Sequence, residues 1–375
     1  MKLIICMEKH IALCLPPQEV EQLLPAVLDY AGRTGWREVS LIPVILGIYG
    51  KFPRTKFDGA ILKISTPEMQ AAAKKMDCPI INISQALSIA DWPLCTFDNY
   101  EIGVLAARHL ISCGAKTFSM ICSAQEFAKY RRQGFTDELH RQGFTLPEEN
   151  LFSRKELNGK KFRYTILSWP NCVGVFSDSD PGGRLFIQMA EKLGRHIPSE
   201  IAVLGCDNMV NICIDCVPAL SSIELPEMEV GIAACKLLDR LMRSKKPVPH
   251  KTIIKPKQIA VRGSSDVQML EDPQVTAALQ ILKTPKGLRM NAEELAQHLM
   301  ITRRTLDRWF YRSLGRSVAD HIRELRLERI KKELAAGNQT VAEIALDVGY
   351  QSATHLSKVL QKSTGMCPSD FQKSR

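Results

Sequence analysis

At 375 residues the chain exceeds one ordinary domain, so two or three are expected. Its 45% hydrophobic and 24% charged residues are a globular composition, and no apolar run reaches the roughly 18 residues that a membrane-spanning helix needs. The net charge of +10 is uneven: residues 270–375 hold 17 Lys and Arg against 12 Asp and Glu. Residues 301–316 hold five arginines against one acid, a basic patch that suits phosphate but equally a solvated helix face.

The opening stretch "MKLIICMEKHIALCLPP" is apolar but broken by Glu8, Lys9 and His10, so it reads as a buried first strand rather than a signal peptide. Twelve cysteines lie scattered among hydrophobic neighbours, as expected of reduced, buried thiols in a cytosolic protein. Cys213 and Cys216 form the only close C-x-x-C pair, a weak zinc signal without a second pair or nearby histidines. No metal, cofactor or membrane is implied.

From residue 1 to about 262, short apolar β-branched runs alternate with helix-like runs. Strands are predicted at "KLIICM", "REVSLIPV", "DGAILKI", "CPIINIS", "TFSMIC", "CVGVFSD", "IAVLGCD" and "ALSSIEL". They lack clean two-residue alternation, which is how parallel strands buried on both faces look. Helices are predicted at "YEIGVLAARHLISCG", "YRRQGFTDELHRQG", "GGRLFIQMAEKLG" and "EMEVGIAACKLLDRLM". The alternation predicts an α/β fold of parallel sheets with helices on both faces, in two lobes. A boundary is placed near Gly263 to Ser265, with domains over 1–265 and 270–375.

Beyond residue 270 only capped helices are predicted. Asn291 can cap a helix with Glu294 at its third position, and Leu295 and Leu299 face one core. Thr302 can cap a second helix with Leu306, Trp309 and Phe310 buried, leaving Arg303, Arg304, Asp307 and Arg308 outside. Two short helices joined through a tight turn make a helix-turn-helix, whose second helix enters the major groove. The stretch "TVAEIALDVGYQSATHLSKVLQKSTG" repeats the design, with an offset of 49 in the first helix and 50 in the second. Between the units, Ser317 and Gly337 bound a helix with one apolar stripe, Val318, Ile322, Leu325, Ile330 and Leu334. About 20 helical residues span roughly 30 Å, close to the roughly 34 Å turn of B-DNA.

Residues 270–375 resemble the AraC/XylS DNA-binding domain, with Gly349, Tyr350, Leu356, Gly365, Pro368 and Phe371 in register; Leu360 stands where that family usually has Phe. The resemblance implies base readers at Arg303, Arg304, Asp307 and Arg308 in the first unit and at Ala353, Thr354, His355 and Lys358 in the second. Arginine can pair with guanine bidentately, and Asp307 can accept from cytosine or merely orient an arginine. The first unit is expected to carry most of the discrimination.

Residues 1–262 resemble the type I periplasmic-binding-protein fold used by LacI-type repressors, through "TFDNYEIGVLAARHL", "KYRRQGFTDEL" and the run ending "AVLGCDN". Such a domain ahead of an AraC-type reader is the build of xylose-operon regulators. Ligands of open α/β sheets bind at the carboxyl ends of strands, which points to Asp98, Ser177, Asp207 and Arg131 as contacts. Lys9 and His10, taken as the end of the first strand, depart from the small polar residues of sugar sensors.

The expected function is a cytoplasmic transcription regulator, on nucleoid DNA when bound, that is gated by a sugar such as xylose. Its expected partners are double-stranded DNA half-sites, a second copy of itself and RNA polymerase. An α/β enzyme with a DNA-binding tail and a nonspecific packaging protein are the alternatives. No Walker loop, G-x-S-x-G or G-x-G-x-x-G supports an enzyme.

Overall fold

Strands buried on both faces need a helical layer on each side, and the computed structural model shows that arrangement twice. It describes residues 9–42, 56–89, 91–243, 249–267 and 272–373. The chain forms two compact units: one closes at Asp266, and the other is Val267–Arg375 with Pro170–Cys172 and Pro198–Ala202.

In the first unit the order is β1 (Lys9–Cys14), α1 (Pro17–Thr34), β2 (Trp36–Leu41), β3 (Gly59–Leu62), α2 (Pro67–Ala73), β4 (Ile80–Asn82) and β5 (Leu94–Phe97). There follow α3 (Asn99–Ser112), β6 (Thr117–Ile121), α4 (Glu126–Arg141), β7 (Leu151–Phe152), α5 (Lys160–Ser168), β8 (Val173–Ser177) and α6 (Asp180–Lys192). The last are β9 (Ile201–Cys206), α7 (Val210–Ile214), β10 (Ser221–Ile223), α8 (Glu227–Arg243), β11 (Lys251–Ile254) and β12 (Ile259–Ala260). Two six-stranded sheets result, ordered β11-β5-β4-β3-β1-β2 and β12-β10-β9-β8-β6-β7. β1 pairs in parallel with β2 and β3, and β6 with β7 and β8, while β12 runs antiparallel to β10 at an edge.

β1 shows why the strands read as continuous apolar runs. Ile11 and Leu13 pack under α1 and α8, and Ala12 and Cys14 pack into a second core on the other face with Met69 and Ala73 of α2. Its position corrects one expectation. The strand runs on to Cys14, so Lys9 and His10 do not stand at its carboxyl end; they are tied to Asp239 and Ser40. The predicted strand at residues 2–7 lies outside the described residues, as does the end of "REVSLIPV". The helix α1 escaped prediction because Pro25 interrupts it; Leu23, Val27 and Ala31, spaced by four, bury its inner face nonetheless.

From Val267 onward the described residues of the second unit form only helices and turns. It comprises α9 (Pro273–Lys283), α10 (Pro285–Arg289), α11 (Ala292–His298), α12 (Arg303–Leu314), α13 (Val318–Ala336), α14 (Val341–Asp347), α15 (Ala353–Thr364) and α16 (Pro368–Lys373). Asn291 with Glu294, and Thr340 with Glu343, form matching capping boxes on α11 and α14. Thr302 and Ser352 cap α12 and α15, and Gly315 and Gly365 end them in the left-handed conformation. The repeat extends one helix further, because α16 begins 50 residues after α13.

The helix between the units departs from the single stripe expected of it. Val318, Ile322 and Leu325 join the first unit's core, and Leu327, Ile330 and Leu334 join the second's. At 100° per residue the two sets point roughly 150° apart. One rod therefore has two apolar faces, one per unit.

The turns of the two units solve one problem differently. Met300 adopts φ 55° where the second unit has Gly349 at φ 83°. Met300 is 93% exposed and contributes no packing there. Met300→Gly is therefore expected to raise the unfolding free energy by about 0.5–1 kcal/mol. At Gly349 a Cβ would lie 2.7 Å from the Arg289 Cα, so Gly349→Ala is expected to cost more than about 2 kcal/mol. Urea unfolding of both variants checks this pair; a destabilised Met300→Gly contradicts it.

Candidate functional sites: an interlobe cleft and a helical reading face

Both sheets have the strand order 2-1-3-4-5 of doubly wound folds, and such folds bind ligands outside the carboxyl ends of their strands. A cavity of about 420 Å³ lies at those ends. Much of its polar lining comes from the residues that follow successive strands: Ser65 after β3, Gln85 after β4, Asn99 after β5, Ser123 after β6, Asp178 after β8 and Asp207 after β9. Both sheets thus contribute.

Arg131, on α4, is the centre of this site and is 3% exposed. Its Nε donates to Asn99 Oδ1 at 2.9 Å, Nη1 donates to the Asp178 carbonyl, and Asp207 Oδ1 stands 3.7 Å away. The guanidinium lies 4.7 Å from the Phe127 ring centroid. Burial opposes its charge, but the carboxylates of Asp207, Asp178 and Asp180 outweigh that and raise its pKa. Asn99 is held in turn by donating to Gln85 Oε1 at 2.9 Å.

Asp207 occupies a strained turn, with φ 105° followed by Asn208 at φ 50°. Conformations of this kind persist only where neighbours over-determine them. Here Asn208 N donates to Ser222 Oγ, Arg262 Nη2 donates to Asn208 Oδ1, and Met209 N donates to Asp180 Oδ2. Asp180 is buried beneath this turn and also accepts from Ser222 Oγ at 2.6 Å. Burial pushes its pKa up to about 6, although those hydrogen bonds and Arg262 favour the carboxylate.

Of the four predicted contacts, Arg131 and Asp207 line the cavity, and Asp98 and Ser177 do not. Asp98 is the N-cap of α3, with its carboxylate turned to the Glu101 N–H at 3.0 Å. Ser177 is fully buried and donates to the Ser179 carbonyl at 2.8 Å. In each case the next residue faces the cavity: Asn99 and Asp178. Cys213 and Cys216 are buried thiols, and Cys216 donates to the Ile212 carbonyl. Among the described residues no group of His, Cys, Asp and Glu is disposed to hold a metal ion. Nor is any described helix long and apolar enough to cross a membrane.

On the second unit, Leu306 and Phe310 of α12 are buried, whereas Arg303, Arg304 and Arg308 are exposed. Asp307 spends its oxygens within the unit, one accepting from the Val318 N–H at 3.1 Å and the other from Arg303 Nε at 3.3 Å. It braces the start of α13 and holds Arg303. Among the described residues Arg304 and Arg308 have no ion-pair partner. On α15, Thr354, His355 and Lys358 are exposed and Ala353 is half-buried. The His355 ring stands 4.8 Å from that of Tyr350. Leu360 is fully buried, filling the second core in place of a ring.

This pairing of a two-lobed sensor with a doubled helix-turn-helix defines a ligand-controlled DNA-binding transcription regulator. A helix-turn-helix domain model matches residues 295–374, and a periplasmic-binding-protein-like domain model matches residues 107–265. The xylose operon regulatory protein of Haemophilus influenzae is 24% identical over 331 residues, covering 84% of each chain. Its Escherichia coli K12 counterpart is 23% identical over 84% of this chain and 83% of its own. The chain is thus a homologue of the xylose operon regulators, carrying an AraC-type reader behind a periplasmic-binding-protein-like domain. In fold, the structure of the xylose-binding transcription activator xylR covers 98% of both chains with a TM-score of 0.68 and 21% identity. A LacI-family regulator from Enterococcus faecium with bound ribose covers 68% of this chain and 98% of its own, with a TM-score of 0.54 and 23% identity.

Ser123 Oγ is buried and makes no hydrogen bond. Ser123→Ala is therefore expected to leave the stability of the ligand-free protein unchanged or raise it by up to about 1 kcal/mol. Asn99→Ala, which strips partners from Arg131 and Gln85, is expected to cost about 2–4 kcal/mol. Denaturant melts of the two variants test the contrast; equal losses contradict it.

Proposed function

We propose that the cleft binds a monosaccharide, with D-xylose the first to try, and that occupancy controls how a homodimer meets adjacent half-sites in double-stranded DNA. The observation that carries this reading is the convergence of Arg131 of α4 with Asn99, Asp178 and Asp207, which follow strands of both sheets, beside the Phe127 ring. Carboxylates, an amide and a guanidinium accept from and donate to hydroxyls, and a ring face packs against the C–H face of a sugar. The xylose operon regulatory proteins and the xylose-binding activator that the chain resembles point to the same sugar. In this reading residues 1–265 are the effector domain and residues 270–375 the reader, acting in the cytoplasm on nucleoid DNA and on RNA polymerase.

Closure on a ligand shifts a pre-existing equilibrium between lobe arrangements by as much as the ligand prefers one of them. Two-fold pairing follows from the pairing of operator half-sites. Within each reader, Arg303, Arg304 and Arg308 suit guanine edges, and Thr354 and Ala353 suit thymine methyls. His355 and Lys358 complete the second face, Lys358 toward phosphate.

Two measurements test the reading. In a thermal-shift screen against pentoses and hexoses, D-xylose at 100 times its Kd is expected to add about 2.7 kcal/mol of stability. No shift with any sugar overturns the ligand assignment. In a binding-site selection, Arg304→Ala is expected to relax base preference more than Thr354→Ala, losing about 1–3 kcal/mol of discrimination at one position. Equal relaxation overturns the ranking of the two units.

A further inference from the structure

Arg326 sits midway along α13, on the flank between its two apolar faces. It is half-buried, and no carboxylate within ion-pair distance answers it among the described residues. Three backbone carbonyls do so instead. Nε donates to Leu288 O at 2.9 Å, and Nη2 donates to Arg289 O at 2.9 Å and Met290 O at 3.0 Å. These are carbonyls at the end of α10, where a helix leaves acceptors unsatisfied and carries partial negative charge. The guanidinium carbon lies 5.4 Å from the ring centroid of Tyr350, in the turn of the second unit.

The segment that Arg326 grips belongs to both units. It follows α9, whose Val275, Ala278 and Leu282 are in the first core, while Leu288 packs against the second core. Arg289 reaches on to Asp347, at 2.7 Å from Oδ1 and 3.3 Å from the carbonyl. Gly349 leaves just enough room: a Cβ there would lie 2.8 Å from Arg289 O and 2.9 Å from Arg326 Nη2. The second unit is thus fastened by two routes, the rod α13 and the strap α9–α10, and Arg326 joins them.

We propose that Arg326 is a positioning residue for DNA recognition. It fixes the rotation and distance between α12 and α15, and so sets the spacing of the two base elements that one chain accepts. A rod alone can bend and twist between its two cores; a rod tied to a strap at mid-length cannot. Lysine would not replace it, because a point charge offers neither the planar fork for three carbonyls nor the flat face for Tyr350. The proposal rests on both units of one chain engaging the same duplex.

The test uses the full-length chain and a selected DNA site, compared with the same site carrying one base pair inserted between its two elements. The insertion moves the second element by about 3.4 Å and turns it by about 34°. The wild-type chain is expected to bind the inserted site about tenfold or more weakly. Arg326→Ala is expected to bind the two sites within about threefold of each other, as is Arg326→Lys, which carries the test should the alanine variant not fold. Variants that weaken both sites alike and keep the wild-type ratio overturn the proposal, since Arg326 would then only stabilise the fold. A wild-type chain indifferent to the insertion overturns it too, and with it the reading that both units engage one duplex.

Discussion

A guanidinium taken out of water must find acceptors for a planar fork of five N–H donors, and this requirement organises both units of the molecule. Arg131 draws together Asn99, the Asp178 carbonyl and Asp207, which follow different strands, and lies over the ring of Phe127 on its own helix. Arg326 draws together the carbonyls of Leu288 and Arg289 at the end of α10, that of Met290 just beyond it, and the ring of Tyr350. In neither case is the main partner a single carboxylate in a closed ion pair. The charge is spread over several weaker acceptors, so the geometry of several segments depends on one side chain.

In the sensor, that arrangement sits on a duplicated scaffold. Each sheet has the same strand order, so each places its loops at the same end, and the cleft between them is lined by both. The strained turn at Asp207 is held from beneath by Asp180, Ser222 and Arg262. The side chain presented to the cavity is therefore backed by a shell of hydrogen-bonded neighbours.

Much of this was legible in the sequence, and the exceptions have physical reasons. The repeat in the reader was visible because caps and glycines mark helix ends by chemistry alone: Asn291 and Thr340, Thr302 and Ser352, Gly315 and Gly365. The strand-end rule pointed to the loops that line the cavity, but at Asp98 and at Ser177 the next residue is the one that lines it. Which of two neighbours faces the cavity is decided by whether the first is spent as a helix cap or in a turn, and that depends on backbone geometry. The two faces of α13 were missed although 100° per residue already sets Val318, Ile322 and Leu325 apart from Ile330 and Leu334; the two cores that claim them make the separation plain. Asp180, Asn99 and the orphaned Ser123 hydroxyl carried no pattern of spacing at all. The signal for Asp180 was only its place one residue into a helix, where a carboxylate is common.

The central claim is that ligand binding in the cleft and DNA binding by the reader are coupled. Coupling is reciprocal, so it can be read from either end. Isothermal titration of D-xylose into the free protein and into the protein saturated with its selected DNA site measures it directly. The account predicts sugar affinities that differ between the two titrations by about fivefold or more. Identical affinities, or no binding heat in either titration, would contradict it.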